Sequence, residues 1–211
     1  MGIPIKYRRG AEEAIATYDF VDIASGTGYI RFYGANISGS QVSNQILSNI
    51  AFYSHPTGTS GAEAGAVYAK KVDLDFDVTF NKQMVLKGDA IINLPWTLSN
   101  SSTDTVQGFV HTYIKKWDGT TETNLGNISG AILNVGSSAT DGRLEAFKIN
   151  IPQTIFKKNQ TLRLTTEGWA KSGGAGTATI KIWHDPQNRT TSVSEVPSSI
   201  LDVQIPTRIN L

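Results

Sequence analysis

Cysteine is absent from the 211 residues of this chain. The absence excludes a fold held by disulfides, a thiolate nucleophile and thiolate metal ligands. Charge is also scarce, since Asp, Glu, Lys and Arg make up 18% of the residues, against roughly 25% in typical soluble domains. The formal net charge is +1, whereas a non-specific nucleic-acid binder needs a strongly basic surface. We therefore expect no nucleic-acid partner.

Long apolar runs are missing as well. No stretch approaches the ~20 consecutive apolar residues of a membrane-spanning helix, and residues 1–9 lack the apolar segment of an export signal. The sequence therefore predicts no membrane partner and assembly in a cytoplasm. Residues 1–12 carry Lys6, Arg8 and Arg9 and precede any periodic pattern. They predict a basic N-terminal arm that docks on a neighbouring subunit.

Alternating apolar and polar residues dominate what is present. Between residues 72 and 80 every second residue is apolar, and Asp73, Asp75 and Asp77, which we call the aspartate row, lie between them. Side chains alternate between the two faces of a strand, so this pattern predicts a half-buried strand. Further strands are predicted over 14–23, 28–37, 46–53, 85–98, 106–117, 125–135, 144–151, 161–169, 177–184 and 200–205.

Many short strands without a convincing amphipathic helix predict an all-β fold, an antiparallel β-sandwich. A single jelly roll is the first choice of topology, and an immunoglobulin-like sandwich is the alternative. We expect an arm over 1–12 followed by one domain over 13–211. Pro, Gly and small residues over 55–65 predict a long loop or hinge. Whether residues 13–55 form a separate small domain stays open.

The aspartate row is the strongest constellation of charge. Alternate strand residues stand about 6–7 Å apart on one face, and a solvated face that resists edge aggregation is the structural interpretation. As an interface, the row would pair with the basic arm of a neighbouring subunit. A shared Ca²⁺ at a subunit contact is a further alternative, but the loop of a dedicated calcium site is absent. No cofactor is therefore expected.

Residues 106–117 carry bulky groups on both faces of the predicted strand. If Val110, Thr112 and Ile114 point inward, an aromatic stripe points outward, formed by Phe109, His111, Tyr113 and Trp117. Exposed aromatic rows are typical of sugar-binding modules and of protein interfaces. A central strand covered by a loop is the structural alternative. The stripe is thus a candidate surface for a glycan or for a second copy of the chain.

Catalytic signatures are absent from the pattern. There is no Gly-x-Ser-x-Gly sequence, and His55, His111 and His184 lie too far apart in sequence to suggest a zinc site. His184 and Asp185 are adjacent, but neighbouring residues of a strand face opposite ways and no nucleophile accompanies them. The sequence therefore predicts that the chain is not an enzyme.

Three segments carry a family resemblance: residues 16–29, 161–165 and 184–189. They resemble uncharacterised small β-proteins encoded among the structural genes of tailed phages and archaeal viruses. The resemblance implies a virion protein, a capsid or capsid-decorating subunit assembled in the host cytoplasm, and transfers no active-site residue. We expect a homo-oligomer such as a trimer, in contact with other capsid proteins through sheet faces, loops and the arm. A carbohydrate-binding or host-attachment module is the alternative.

Overall fold

The structure is a computed structural model that describes residues 27–37, 45–101, 103–174, 176–189 and 196–208. Within these ranges it contains strands and no helix, so no helix there is long and apolar enough to cross a membrane. The twelve strands are β1 Thr27–Asn36, β2 Gln45–Ser48, β3 Gly58–Glu63, β4 Ala69–Thr79, β5 Met84–Asn100, β6 Val106–Trp117, β7 Glu122–Ser129, β8 Leu133–Val135, β9 Thr140–Phe156, β10 Thr161–Lys171, β11 Ala178–Trp183 and β12 Asp202–Arg208.

All twelve strands belong to one hydrogen-bonded network. Their order is β3-β11-β5-β12-β1-β2-β4-β10-β6-β7, with β8 beside β6 and β9 beside β5. Every pairing is antiparallel except a single parallel bridge, in which Ile46 of β2 faces Asp77 of β4. The all-β prediction is therefore confirmed, in the form of one large mixed sheet.

The core draws buried side chains from strands across this whole network. A β-carbon added at Gly168 of β10 would lie 3.3 Å from Ile180 of β11, and one at Gly108 of β6 would lie 3.1 Å from Leu98 of β5. These glycines bring β10 and β6 close against β11 and β5. One face of β5 is fully buried, at Ala90, Ile92, Leu94, Trp96 and Leu98.

Residues 55–65, predicted to be a long loop or hinge, contain the strand β3 paired with β11. The glycines there serve close packing instead of a turn: a β-carbon at Gly61 would lie 2.2 Å from the backbone oxygen of Lys71. The loop interpretation is therefore wrong for this strand, whereas hinge motion and the division into arm and domain stay predictions. The basic arm and the strand predicted over 14–23 lie outside the described residues.

Pro95 lies in β5, which is an inner strand. On one side β5 pairs with β9 along its whole length. On the other side it pairs with β12 up to Asn93 and with β11 from Trp96 onwards. Pro95 therefore lies where the partner strand changes, so the ladder does not need the N–H that proline lacks.

Alanine at Gly61 should destabilise the protein by about 2–3 kcal/mol, because the added methyl group meets a backbone carbonyl that cannot move without shifting β4. Gly136→Ala is the matched control, since a β-carbon at Gly136 meets nothing within 4 Å. Urea unfolding of the two variants measures the difference. Equal stability of both would contradict the close packing of β3 on β4.

Candidate functional site

The outer faces of β4, β10, β6 and β7 form one continuous surface. Thr165 of β10 lies opposite Asp75 on β4 and opposite Tyr113 on β6, and Tyr113 in turn faces Asn127 on β7. Directly opposed side chains of a sheet share a face. The aspartate row and the aromatic stripe, separate in sequence, are thus joined by β10 into one surface, which we call the acidic–aromatic face. The predicted inward residues of β6 are buried, namely Val110, Thr112 and Ile114.

Arg163 of β10 is the centre of an ion-pair network on this face. Its Nε and Nη2 donate to the carboxylate of Asp77 at 2.8 and 2.7 Å, and its Nη1 lies 2.9 Å from Glu122 and 3.4 Å from Asp75. The hydrogen bonds to Asp77 raise the pKa of Arg163 above its usual range. The guanidinium thus reaches across β6 and ties β4 to β7. The cation that pairs with these carboxylates belongs to the same chain.

Lys70 forms a second ion-pair group at the other end of the face. Its ammonium lies 2.7 Å from Asp73 and 3.1 Å from Glu167. Glu167 is only 8% exposed, and its second oxygen accepts a hydrogen bond from Trp169 Nε1 at 2.9 Å. The hydrogen bonds to Asp73 and then to Glu167 raise the pKa of Lys70. Each carboxylate of the aspartate row therefore has a cation within its own chain.

The aromatic side chains are half-buried and stacked. The rings of His111 and Tyr113 stack with centroids 4.3 Å apart, and Phe109 stacks on Trp169 at 6.1 Å. The His111 ring also contacts two β7 side chains: its Nε2 lies 3.2 Å from Asn127 Oδ1, and its Nδ1 lies 3.2 Å from Ser129 Oγ. Burial, followed by the negative charge of Glu167, raises the pKa of the Tyr113 hydroxyl. Tyr113 therefore remains a hydrogen-bond donor over the physiological pH range.

The charges on this face do not cancel. Five carboxylates and four cations share this face, which leaves a formal charge of −1; the carboxylates belong to Asp73, Asp75, Asp77, Glu122 and Glu167 and the cations to Lys70, Lys115, Arg163 and Lys171. The side chains of Asp73 and Asp75 are 51% and 43% exposed, whereas that of Arg163 is 22% exposed. The surface therefore presents carboxylate oxygens beside aromatic rings, an arrangement that attracts an organic cation.

A serine, a histidine and an aspartate also meet elsewhere, but they do not form a catalytic triad. His184 is fully buried, with Nδ1 3.3 Å from Ser54 Oγ and Nε2 3.0 Å from Thr59 Oγ1. Asp185 pairs with Arg189 at 2.9 Å instead of with the imidazole. Burial lowers the pKa of His184 to about 4. The ring is therefore a neutral structural group whose two nitrogens both contact hydroxyl groups.

Several residues of the acidic–aromatic face were not singled out in the sequence. They come mainly from β10 and the start of β4, namely Lys70, Arg163, Glu167 and Trp169. The signal was the alternation in β10, whose polar positions face outward. Lys6, Arg8 and Arg9 lie outside the described residues, so their part in an interface stays a prediction. Among the described residues, no group of three or more His, Asp or Glu side chains is arranged to hold a metal ion.

No protein family and no curated protein matches this sequence. Solved structures do show a similar fold. An α-amino acid ester hydrolase is 11% identical with a TM-score of 0.51, over 85% of this chain and 36% of that one. An aminopeptidase from a marine sediment Thaumarchaeota archaeon is 10% identical with a TM-score of 0.50, over 86% and 37%. The chain thus spans just over a third of these hydrolases, and the likeness shows the fold.

Viral particles give weaker matches. The particle of infectious bursal disease virus, Gx strain, is 11% identical with a TM-score of 0.29, over 84% of this chain and 42% of that one. A score this low carries no argument. The capsid-like resemblance and the virion location expected from the sequence therefore stay predictions.

The prediction of a non-enzymatic virion structural protein is contradicted, as is its alternative of a carbohydrate-binding or host-attachment module. The similar structures with TM-scores of 0.51 and 0.50 are hydrolases. The prediction treated the lack of a Gly-x-Ser-x-Gly signature as a sign that the chain is not an enzyme. A chain that spans about a third of a hydrolase need not contain the nucleophile, so the missing signature does not exclude an enzymatic role.

Proposed function

We propose that this chain is the β-domain of a hydrolase and that the acidic–aromatic face binds the free amino group of the substrate. The observation that carries the proposal is the excess of carboxylate on this face beside stacked rings. The similar structures include a hydrolase of α-amino acid esters and an aminopeptidase. Both names imply substrates with an α-amino group, which is a cation at neutral pH. Asp73 and Asp75 are the proposed ammonium ligands.

In this proposal the domain contributes binding and leaves the bond-breaking atoms to the rest of the hydrolase. The chain spans 36–37% of the similar hydrolases. Among the described residues, Ser54 and His184 contact each other, but both are fully buried. A fully buried serine whose hydroxyl also donates to the Pro56 carbonyl oxygen is not positioned to attack a substrate.

We further propose that the single sheet is folded over into a sandwich of jelly-roll type. The supporting contacts join strands that are remote in the hydrogen-bonding order. Besides the close approach of β10 to β11, a β-carbon at Gly126 of β7 would lie 2.5 Å from Ile149 of β9. The rings of Phe80 and Phe156 also meet edge to face at 5.2 Å. Two packed layers explain why side chains from both halves share one core.

Binding of L-phenylalanine amide, measured by isothermal titration calorimetry, tests the proposed function. A ligand of about twelve non-hydrogen atoms at about 0.3 kcal/mol each gives a dissociation constant on the order of 1 mM. The control ligand is N-acetyl-L-phenylalanine amide, which keeps the ring and the amide but has no positive charge. We expect it to bind at least about fivefold more weakly, because it lacks the ion pair. Equal affinities would contradict ammonium recognition.

The double variant Asp73→Asn/Asp75→Asn should weaken binding of phenylalanine amide about tenfold, since each exposed ion pair contributes about 0.5–1 kcal/mol. Asparagine keeps the size of the side chain and removes the charge. The matched control is Asp89→Asn on β5, which pairs with Lys148 at 2.9 Å away from the acidic–aromatic face. An equal loss of affinity in the control would assign the effect to net charge instead of to the site.

The partners expected from the sequence remain proposals. A homo-oligomer held by the basic arm, and a neutral glycan on the aromatic stripe, are each compatible with the half-buried rings. Cellobiose titrated under the same conditions tests the glycan. Light scattering over a concentration series, with and without residues 2–10, tests the oligomer: a mass that does not depend on concentration or on the arm would contradict it.

A further inference from the structure

A second, separate surface lies on the outer face of β3, β11 and β5. Lys181 of β11 lies opposite Ser60 on β3 and Thr97 on β5. Its neighbours Ile180 and Ile182 are fully buried in the core, so Lys181 points to the outer side. None of these strands belongs to the acidic–aromatic face. Any ligand here would therefore bind independently of the proposed amino-group site.

Lys181 lies over the ring of Trp183, with its Nζ 3.6 Å from the ring centroid. Other lysines of the described residues form ion pairs, for example Lys70, Lys115 and Lys148. Lys181 forms no ion pair with any described residue, and burial lowers its pKa. A partly desolvated ammonium without a carboxylate partner is costly to hold in a folded protein.

Trp183 contributes a second donor at the same place. The residue is 6% exposed, and its indole Nε1–H has no acceptor among the residues that the structure describes. A buried N–H without an acceptor costs about 1–3 kcal/mol. Lys181 and Trp183 are neighbours on the outer face of β11. The first carries a cation without a carboxylate partner, and the second carries a neutral N–H without an acceptor among the described residues.

We propose that Lys181 and Trp183 form a carboxylate-binding site. One carboxylate oxygen would accept from the Lys181 ammonium and the other from Trp183 Nε1–H. The single positive charge matches the single negative charge of a carboxylate, whereas a phosphate dianion would leave one charge without a cation. Ser60, which is exposed, lies opposite the lysine and carries a hydroxyl group that suits the rim of such a site. The ligand class is therefore a small organic acid or a carboxylate at the end of a peptide.

The indole N–H signals in ¹⁵N-labelled protein provide the test. Sodium acetate is titrated against sodium chloride at constant ionic strength, and the Trp183 signal is followed. We expect a saturable downfield shift of the Trp183 proton, and an apparent acetate dissociation constant at least tenfold higher in Lys181→Met. Lys171→Met is the matched control, because Lys171 also lies over a ring, that of Tyr68 at 4.8 Å, on another strand. It should keep the wild-type response.

Further outcomes would overturn the proposal. A shift that does not saturate, or that is unchanged in Lys181→Met, would show that acetate does not bind between the two donors. Stronger binding of phosphate than of acetate would overturn the carboxylate class. If Lys181→Met does not fold, the native protein alone decides: bound acetate must raise the pKa of the Lys181 ammonium, measured from its side-chain NMR signals, and an unchanged pKa would overturn the proposal.

Discussion

Between pH 7 and pH 4 the protein should lose about 3 kcal/mol of unfolding free energy through His184 alone. Burial lowers the pKa of His184 from 6.5 to about 4 in the folded state; the charge of Lys181 lowers it further, and that of Asp185 opposes the shift. The unfolded chain therefore binds a proton at higher pH than the folded protein does. Stability is fully present above pH 6.5 and falls as the pH drops towards 4, by about 1.4 kcal/mol for each pH unit.

The variant His184→Gln isolates this contribution in urea unfolding at several pH values. At pH 7 glutamine should cost about 1–3 kcal/mol, because it cannot satisfy both the Ser54 and the Thr59 hydroxyl groups. Towards pH 4 the wild type should lose about 3 kcal/mol relative to the variant, so that the variant becomes at least as stable as the wild type. His55→Gln is the control, because it removes a histidine from an exposed position and should leave the pH dependence of stability unchanged. A difference that stays constant with pH would show that His184 is not a buried neutral ring.

Methionine at Arg163 should lower the free energy of unfolding by about 2 kcal/mol at low ionic strength. The substitution keeps an unbranched apolar stem and removes the one cation shared by Asp75, Asp77 and Glu122. Those carboxylates would then repel one another across β4 and β7. Because salt screens exposed charges, the loss should become smaller at 1 M NaCl, where the Debye length is about 3 Å.

The comparison for Arg163 is Lys148→Met. Lys148 is 70% exposed and makes a single ion pair with Asp89, so we expect a loss of less than about 0.5 kcal/mol. Urea unfolding at 20 mM and 1 M NaCl gives both differences. A loss at Arg163 as small as at Lys148, or one that does not depend on salt, would contradict the central position of Arg163 in the network.

The strands with a clear period of two could be predicted from the sequence. The strand predicted over 72–80 corresponds to β4 Ala69–Thr79, and the one predicted over 106–117 coincides with β6 Val106–Trp117. β3 could not be predicted in this way, since its glycines and small residues carry no alternation and indicate a turn. Glycine in a strand can also mark a close approach of backbones, and Gly61 is such a case.

The candidate site could be predicted only in pieces. Alternation placed the aspartates on one face of β4 and the aromatic residues on one face of β6. The two rows flank β10. This arrangement depends on strand pairing over long sequence separations, such as that between Arg163 and Asp77, which are 86 residues apart. Local patterns do not encode such a register. Arg163 was therefore missed, and the arm was proposed in its place as the source of positive charge.

The functional prediction failed for a different reason. Composition and the absence of a motif describe only the chain at hand, whereas the similar hydrolases are almost three times as long as the part that this chain matches. A domain that binds substrate while another supplies the nucleophile leaves no catalytic signature in its own sequence. The proposal therefore rests on the charge of the acidic–aromatic face, and the fold similarity adds the class of substrate to test.

Mapping the binding site of L-phenylalanine amide by backbone amide chemical shifts tests the central claim most directly. The account predicts that the largest saturable changes lie on β4, β10 and β6, around Asp73, Asp75, Tyr113 and Glu167, and that they disappear in Asp73→Asn/Asp75→Asn. Saturable changes confined to other strands, or none at 10 mM ligand, would contradict the assignment of the acidic–aromatic face as an amino-group site.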